Sequence, residues 1–283
     1  MRGDLPRVSN DHLKPLGTVL GLMGDLSVVL AATAEDLDAA QALRYRVFAE
    51  EFRAVFPSES RRLRRDRDRF DAACDHLIVV DNSIEGSVYE KIVGTYRISI
   101  HRAGDVSSNA VYSQTEFDVM PMFQRHAATT FLELGRSCVL PAYRGRRTIE
   151  LLWQGIWAYC RGHGVEAMFG CASLPGIDLE AHALPLSFLH HHARAKDAWA
   201  VKALSSRHHS MDLMDRDQID MKQALASLPP LIKGYLRIGA SFGEGAVIDD
   251  VFNTTDVLVI LPVAHISRRY ISHYGENAER FAA

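Results

Sequence analysis

The sequence predicts an α/β protein built on a mixed sheet with helices packed on its faces. Three observations predict it. Five apolar, β-branched runs alternate with two stretches of helical period, in the order strand, helix, strand, strand, strand, helix, strand. The chain of 283 residues is 47% hydrophobic and 24% charged, enough apolar material for a large core. No low-complexity linker divides it, so residues 176–283 are expected to pack as an extension onto a core of residues 26–175, in one domain.

Residues 1–25 mix Pro, Gly and charge without period and read as a poorly ordered lead-in. "SVVLAAT" (27–33) reads as the first strand. Thr33 is a fair N-cap for a helix over 34–52, where Leu37, Ala40, Leu43, Val47 and Phe48 follow helical spacing behind Glu35 and Asp36. An arginine-rich stretch, "RRLRRDRDRF" (61–70), leads to strands at 76–81 and 91–100, and 102–128 reads as polar loop. The strand in "TFLELGRSCVLPAYRGRR" (130–147) ends in a basic, Gly-containing turn. "TIELLWQGIWAYC" (148–160) follows as a helix with Ile149, Leu152, Trp153, Ile156, Trp157 and Cys160 on one face. "VEAMFGCASL" (165–174) is the next strand, and "TTDVLVILPV" (254–263) a further one after His- and Ala-rich helical segments.

Composition excludes several classes. A formal net charge of −3 argues against nucleic acid as partner. Cys74, Cys138, Cys160 and Cys171 show no CxxC pairing and no zinc spacing, and read as small buried hydrophobes in a reducing compartment. The apolar stretch at 18–34 is broken by Gly24 and Asp25 and falls short of the ~20 residues of a membrane span, so a cytoplasmic protein is expected. His76 and Asp81 would point to opposite faces of a strand and cannot act as a pair. The runs His190–His192 and His208–His209 lack a partner at ligand spacing, so no metal is expected. The glycines of "GASFGEGA" (239–246) read as a tight connection.

The chemistry concentrates at the basic turn. Arg144, Gly145, Arg146 and Arg147 stand where free N–H groups and a helix dipole favour an anion, although a solvated basic turn would look the same. Strand, basic turn and helix, after strand–helix–strand–strand, resemble the GNAT N-acyltransferases, in which this turn grips the phosphates of an acyl-carrying pantetheine. That resemblance implies a mixed, mostly antiparallel GNAT-like sheet flanked by helices. Of the usual Arg/Gln-x-x-Gly-x-Gly/Ala loop, Arg144 matches while Arg147 and Ile149 replace glycines. Lost glycines hinder closure on a pyrophosphate, so the loop favours the single phosphodiester of acyl carrier protein (ACP) over coenzyme A.

An ordered set of motifs is similar to the acyl-homoserine-lactone synthases: Arg44 and Phe48, then "DRFD" (Asp68, Asp71), "GTYR" (Arg97) and "ELGR" (Glu133, Arg136). Longer phrases, "LELGRSCVLPAYR", "FGCASLPG", "LPPLIKGYLRIGA" and "GEGAVIDDVFNTTDV", resemble the bacterial L-ornithine Nα-acyltransferases, or ornithine lipid synthases. This implies transfer of a 3-hydroxyacyl group from ACP to the α-amine of ornithine, giving lyso-ornithine lipid, with no cofactor beyond the phosphopantetheine of the donor. Other acceptors (glutamine, glycine, tyrosine) and a non-catalytic ACP-binding module are the alternatives.

In that frame Glu133 is the candidate base, a buried carboxylate with a raised pKa; the alternative is an ion pair with Arg136, which needs a bulge that Gly135 could supply. Arg97 or Arg44 would take the acceptor's carboxylate, and Asp68 or Asp71 its side-chain ammonium; an ordinary salt bridge is the competing reading for Arg44. Arg144, Arg146 and Arg147 would hold the pantetheine phosphate and the ACP surface. Cys138 is the one nucleophile worth testing, and a buried thiol is the competing reading. For the arginine-rich stretch, a solvated loop, an ACP-docking surface and peripheral attachment to anionic lipid at the inner membrane face compete.

Overall fold

The structure, a computed structural model, describes residues 18–105, 107 and 110–266, apart from the side chain of Arg146. Strands β1 (Val19–Met23) and β2 (Leu26–Leu30) form a hairpin whose turn Gly24 enters with φ 62°. The expected lead-in is therefore corrected: residues 19–23 are strand, because the polar pair Gly24–Asp25 turns the apolar stretch back on itself, and residues 1–17 lie outside the described residues.

Helix α1 (Ala34–Tyr45) begins with a capping box: Asp36 N donates to Thr33 Oγ1 and Thr33 N to the Asp36 carboxylate, both at 3.1 Å. Arg46–Glu51 continues it as a π-turn, with Phe52 N donating to the carbonyl of Val47. In chain order there follow α2 (Ser58–Leu63), β3 (Asp75–Asp81), α3 (Val88–Lys91), β4 (Ile92–Arg102), α4 (Met120–Arg125) and β5 (Thr130–Val139). Then come α5 (Arg146–His163), β6 (Ala167–Pro175), α6 (Ala183–His192), α7 (Met221–Ser227) and α8 (Pro230–Ile238). Strands β7 (Ser241–Phe242), β8 (Val247–Asp249) and β9 (Thr254–Pro262) complete the described elements.

The strands form one sheet in the order β1-β2-β3-β4-β5-β6-β9-β7, with β8 also on β9. All pairs are antiparallel except β5–β6, which α5 joins by a crossover. Strand alternation decides which helix covers which face. Leu77 and Val79 pack with Leu151, Leu152 and Ile156 of α5, whereas Ile78 packs with Ala39, Ala40 and Leu43 of α1. The mixed, mostly antiparallel sheet flanked by helices is thus the one expected.

Two irregularities shape the site. Pairing between β5 and β6 runs over Phe131–Glu133 and Ala167–Phe169, yet the strands continue to Val139 and Pro175, so they part into a wedge with Glu133 at its apex. Gly170 permits the closest approach there, since a Cβ would fall 2.1 Å from the carbonyl oxygen of Leu134. The second is a bulge: Arg97 faces Gly135 and Thr95 faces Cys138, so β5 carries one extra residue. The left-handed residue is Arg136 (φ 50°), not Gly135. That conformation costs a non-glycine residue about 1–2 kcal/mol and is kept only where surroundings impose it. The stretch 102–128 is more ordered than expected: Val111, Phe117, Val119, Met122 and Phe123 form a buried cluster with Phe131 and Phe169.

Candidate active site

Five of the residues singled out from the sequence, Arg44, Asp68, Asp71, Arg97 and Arg136, meet in one ion network. Arg44 donates from Nε to Asp66 (2.9 Å) and from Nη2 to Asp71 (2.8 Å). Arg97 Nη1 reaches both oxygens of Asp68 (2.7 Å) and Asp71 Oδ1 (2.9 Å). Arg136 donates to Asp66 (3.0 Å) and Asp68 (3.1 Å). Three guanidiniums thus balance three carboxylates, with Arg44 wholly buried and Asp66 1% exposed. Burial pushes the Asp68 and Asp71 carboxyls up, but the adjacent arginines outweigh it and hold both below the ordinary carboxylate range. The ring of Tyr112 covers Arg97 and Arg136 at 5.1 and 4.8 Å, and Phe252 covers Arg136 at 4.6 Å. These contacts hold Arg136 in its strained conformation.

Glu133 behaves differently from the expectation. Its partners are not Arg136 but Ser113, which donates from N (2.6 Å) and Oγ (2.7 Å), Tyr112 N (3.1 Å) and His101 Nε2 (3.0 Å). Four donors occupy the four lone-pair directions of the carboxylate. The expected raised pKa is corrected accordingly: burial pushes Glu133 up, but hydrogen bonds from His101 and Ser113 hold it below its ordinary value. Arg97, Ser99 and His101 alternate onto one face of β4, and Ser99 faces Glu133, so the strand pair delivers His101 to Glu133.

At the basic turn α5 starts after Gly145 without a side-chain cap, leaving its first N–H groups open to an anion. Arg147 is exposed in the first turn, and the side chain of Arg146 lies outside the described residues. Arg144 forks onto Glu51, with Nη2 at 2.6 Å from Oε2, and donates from Nε to the Val139 carbonyl. The arginine-rich stretch faces two ways: Asp66 and Asp68 turn inward, while Arg61, Arg62 and Arg64 are exposed. Cys138 is buried, and burial pushes its thiol far up, so it is no thiolate.

His76 bonds the Asp71 carbonyl, while Asp81 accepts from Tyr143, so the two do not pair. His190 and His191 do acquire an acidic partner that spacing hid: Asp212, 3.8 and 2.9 Å away, across a long loop. Sequence reasoning also missed Asp66, His101, Tyr112 and Ser113. His101 alone carried a legible signal, its even spacing from Arg97 on a strand.

Comparison with known proteins identifies the family. The Acetyltransferase (GNAT) domain family matches residues 43–154. The chain is 53% identical over 269 residues to "L-ornithine N(alpha)-acyltransferase" of Rhizobium meliloti, covering 95% of this chain and 90% of that protein. The protein of that name from Agrobacterium fabrum is 53% identical over 93% of this chain and 89% of its own length. The one from Rhodobacter capsulatus is 36% identical, covering 88% and 95%. Among solved structures, the AHL synthase LasI aligns with a TM-score of 0.46 and 10% identity, covering 88% of this chain and 95% of that chain. Identity of this degree, sustained along nearly the whole of both chains, places the protein in the family of the L-ornithine N(alpha)-acyltransferases.

Proposed function

We propose that the protein transfers a 3-hydroxyacyl group from ACP to the α-amine of L-ornithine, producing lyso-ornithine lipid. One observation carries the reading: at the apex of the β5–β6 wedge, an ionised carboxylate, Glu133, stands beside a guanidinium pair, Arg97 and Arg136. The acceptor is the one named for the relatives, L-ornithine.

The donor's acyl-pantetheine arm enters the wedge, where the parted strands leave backbone groups free to bond it. Arg144, Arg146 and Arg147, with the open N-terminus of α5, hold its phosphate, Arg144 exchanging Glu51 for it. The exposed Arg61, Arg62 and Arg64 meet the acidic ACP. The acceptor's carboxylate docks at Arg97, whose Nη2 is buried without a hydrogen-bond partner among the described residues, and at Arg136. Arg44, Asp66, Asp68 and Asp71 fix these guanidiniums in place.

The α-nitrogen then attacks the thioester carbonyl. The C–N bond forms, and backbone N–H groups at the bulge stabilise the oxyanion. Attack by the neutral amine leaves an ammonium in the tetrahedral adduct that is far more acidic than a free alkylammonium, so a weak carboxylate base suffices. Because all lone pairs of Glu133 are engaged, the proton reaches it through Ser113 Oγ, which passes its own proton on. As the adduct collapses the C–S bond breaks and the thiol leaves with that proton. Cys138 takes no part. No described helix is long and apolar enough to cross a membrane.

The test is a transfer assay with purified protein, 3-hydroxyacyl-ACP or the matching acyl-CoA, and labelled amino acids. Product from the ACP donor with ornithine supports the reading. Product with another amino acid alone keeps the mechanism and replaces the acceptor. Tight ACP binding without turnover points to the binding module.

A further inference from the structure

Next to the balanced network lies a cluster with the opposite character. Glu116 follows the Ser113–Thr115 turn, Asp249 ends β8, and Asp256 lies on β9; β8–β9 pairing sets Asp249 against Thr254 and Asp256 against Val247. Their carboxylate oxygens lie within 4.8 Å of one another, and all three residues are buried. Two cations act on the cluster: Arg136 lowers the pKa of Asp256, and Arg207 lies 3.7 Å from Glu116 while donating to the carbonyls of Thr115 (3.2 Å) and Ile248 (2.9 Å). Asp249 Oδ1 accepts from Val251 N (2.8 Å) and Phe252 N (3.0 Å). Glu116 Oε2 and Asp256 Oδ1 have no hydrogen-bond partner among the described residues, although these residues are only 2% and 6% exposed.

Burying such atoms unpaired is costly. Burial, with a smaller push from the neighbouring carboxylates, holds both groups above the ordinary carboxylate range, even though Ser173 and Thr254 pull Asp256 down and Cys171 pulls Glu116 down. A cation brought from outside would relieve that cost. The cluster adjoins the site: Cys171 is in side-chain hydrogen-bonding contact with both Glu116 and Ser113, and Ser113 donates to Glu133. Tyr112 feels both Glu116 and Arg136, so acids and guanidiniums stand around one ring.

We propose that Glu116, Asp249 and Asp256 form the subsite for the side-chain ammonium of the amino-acid acceptor, a diamino acid whose carboxylate lies at Arg97 and Arg136. This rests on the acyltransfer reading above. Asp68 and Asp71, expected from the sequence to do this, are already neutralised by arginines. An ammonium brings three N–H donors to two unpartnered oxygens and the remaining oxygen of Asp249. A divalent ion at these three carboxylates would have to keep several waters in its shell, whereas an ammonium needs none.

The experiment compares ornithine with norvaline, which has the same carbon chain but no ammonium, in the wild type, Glu116→Gln and Asp256→Asn. The wild type should prefer ornithine by at least about 100-fold in kcat/KM, and the ratio should fall toward unity in both variants. Ornithine, and not norvaline, should also raise the melting temperature of the wild type, a readout independent of whether the variants fold. Folded variants that keep the wild-type preference would overturn the subsite while leaving the acyltransfer reading standing. A wild type that acylates no amino acid would overturn both. Wild-type activity abolished by EDTA and restored by Mg²⁺ or Mn²⁺ would assign the cluster to a metal instead.

Discussion

Asp66 offers the sharpest test of the ion network, because no other residue joins two of its guanidiniums so completely out of solvent. Its Oδ2 accepts from Arg44 Nε at 2.9 Å and Arg136 Nε at 3.0 Å, with Asp66 1% and the Arg44 side chain 0% exposed. Asp66→Ala strips both donors of an acceptor while leaving their charges buried. Breaking a buried pair in this way costs about 3–5 kcal/mol. In a chain of this size each kcal/mol moves the melting temperature by about 2–4 °C, so a drop of roughly 6–20 °C follows. Asp38 provides the control. It forks onto Arg65 at 2.9 and 2.6 Å, but with about a quarter of its side chain exposed, and such pairs contribute about 1 kcal/mol or less. Differential scanning calorimetry of the two variants beside the wild type decides it. An Asp66→Ala protein that melts within about 2 °C of Asp38→Ala would refute the claim that the network is a buried structural unit.

Three further outcomes are expected. Glu133→Gln should lower kcat by about 10²–10⁴-fold while leaving ornithine affinity near that of the wild type, as removal of a base does; single-turnover kinetics would show it, and wild-type kcat would remove Glu133 from that role. His76 is buried, and burial together with Arg44 holds its pKa down to about 4. The unfolded chain therefore binds a proton below pH ~6.5 that the native state refuses until about 4. Stability should fall as pH drops through that window, and a His76→Gln protein should show a shallower slope in denaturant titrations. Cys138→Ala should retain transfer activity, because a thiol raised so far by burial is no nucleophile; loss of turnover in a folded variant would reopen an acyl-enzyme route.

The fold was legible wherever period and capping were strong. The apolar run at 76–81, the helix at 148–160 and the Thr33 cap each appear as expected, because these signals depend on near neighbours alone. Of the apolar face read on that helix, Leu152, Ile156 and Cys160 are buried, Trp153 and Trp157 half-buried and Ile149 exposed. The β1 strand was lost to its turn: five residues before Gly24 are too few to show a period. The site was legible as a set of residues but not as an arrangement. Arg44, Asp68, Asp71, Arg97 and Arg136 were all singled out, yet their mutual neutralisation depends on distances that spacing does not encode. Glu133 shows the same limit. A carboxylate on an apolar strand predicts a raised pKa only if nothing donates to it, and apart from His101 its donors come from Tyr112 and Ser113, in a segment without pattern. Nor does any local feature of β5 announce where its pairing with β6 ends.

The central claim is direct acyl transfer to the α-nitrogen of ornithine at the apex of the wedge. Tandem mass spectrometry of the product formed from 3-hydroxyacyl-ACP and ornithine tests it most directly. Direct transfer gives an amide on the α-nitrogen with the side-chain amine free, and an enzyme whose intact mass is unchanged during turnover. An amide on the side-chain nitrogen, or an acyl group left on the enzyme, would contradict it.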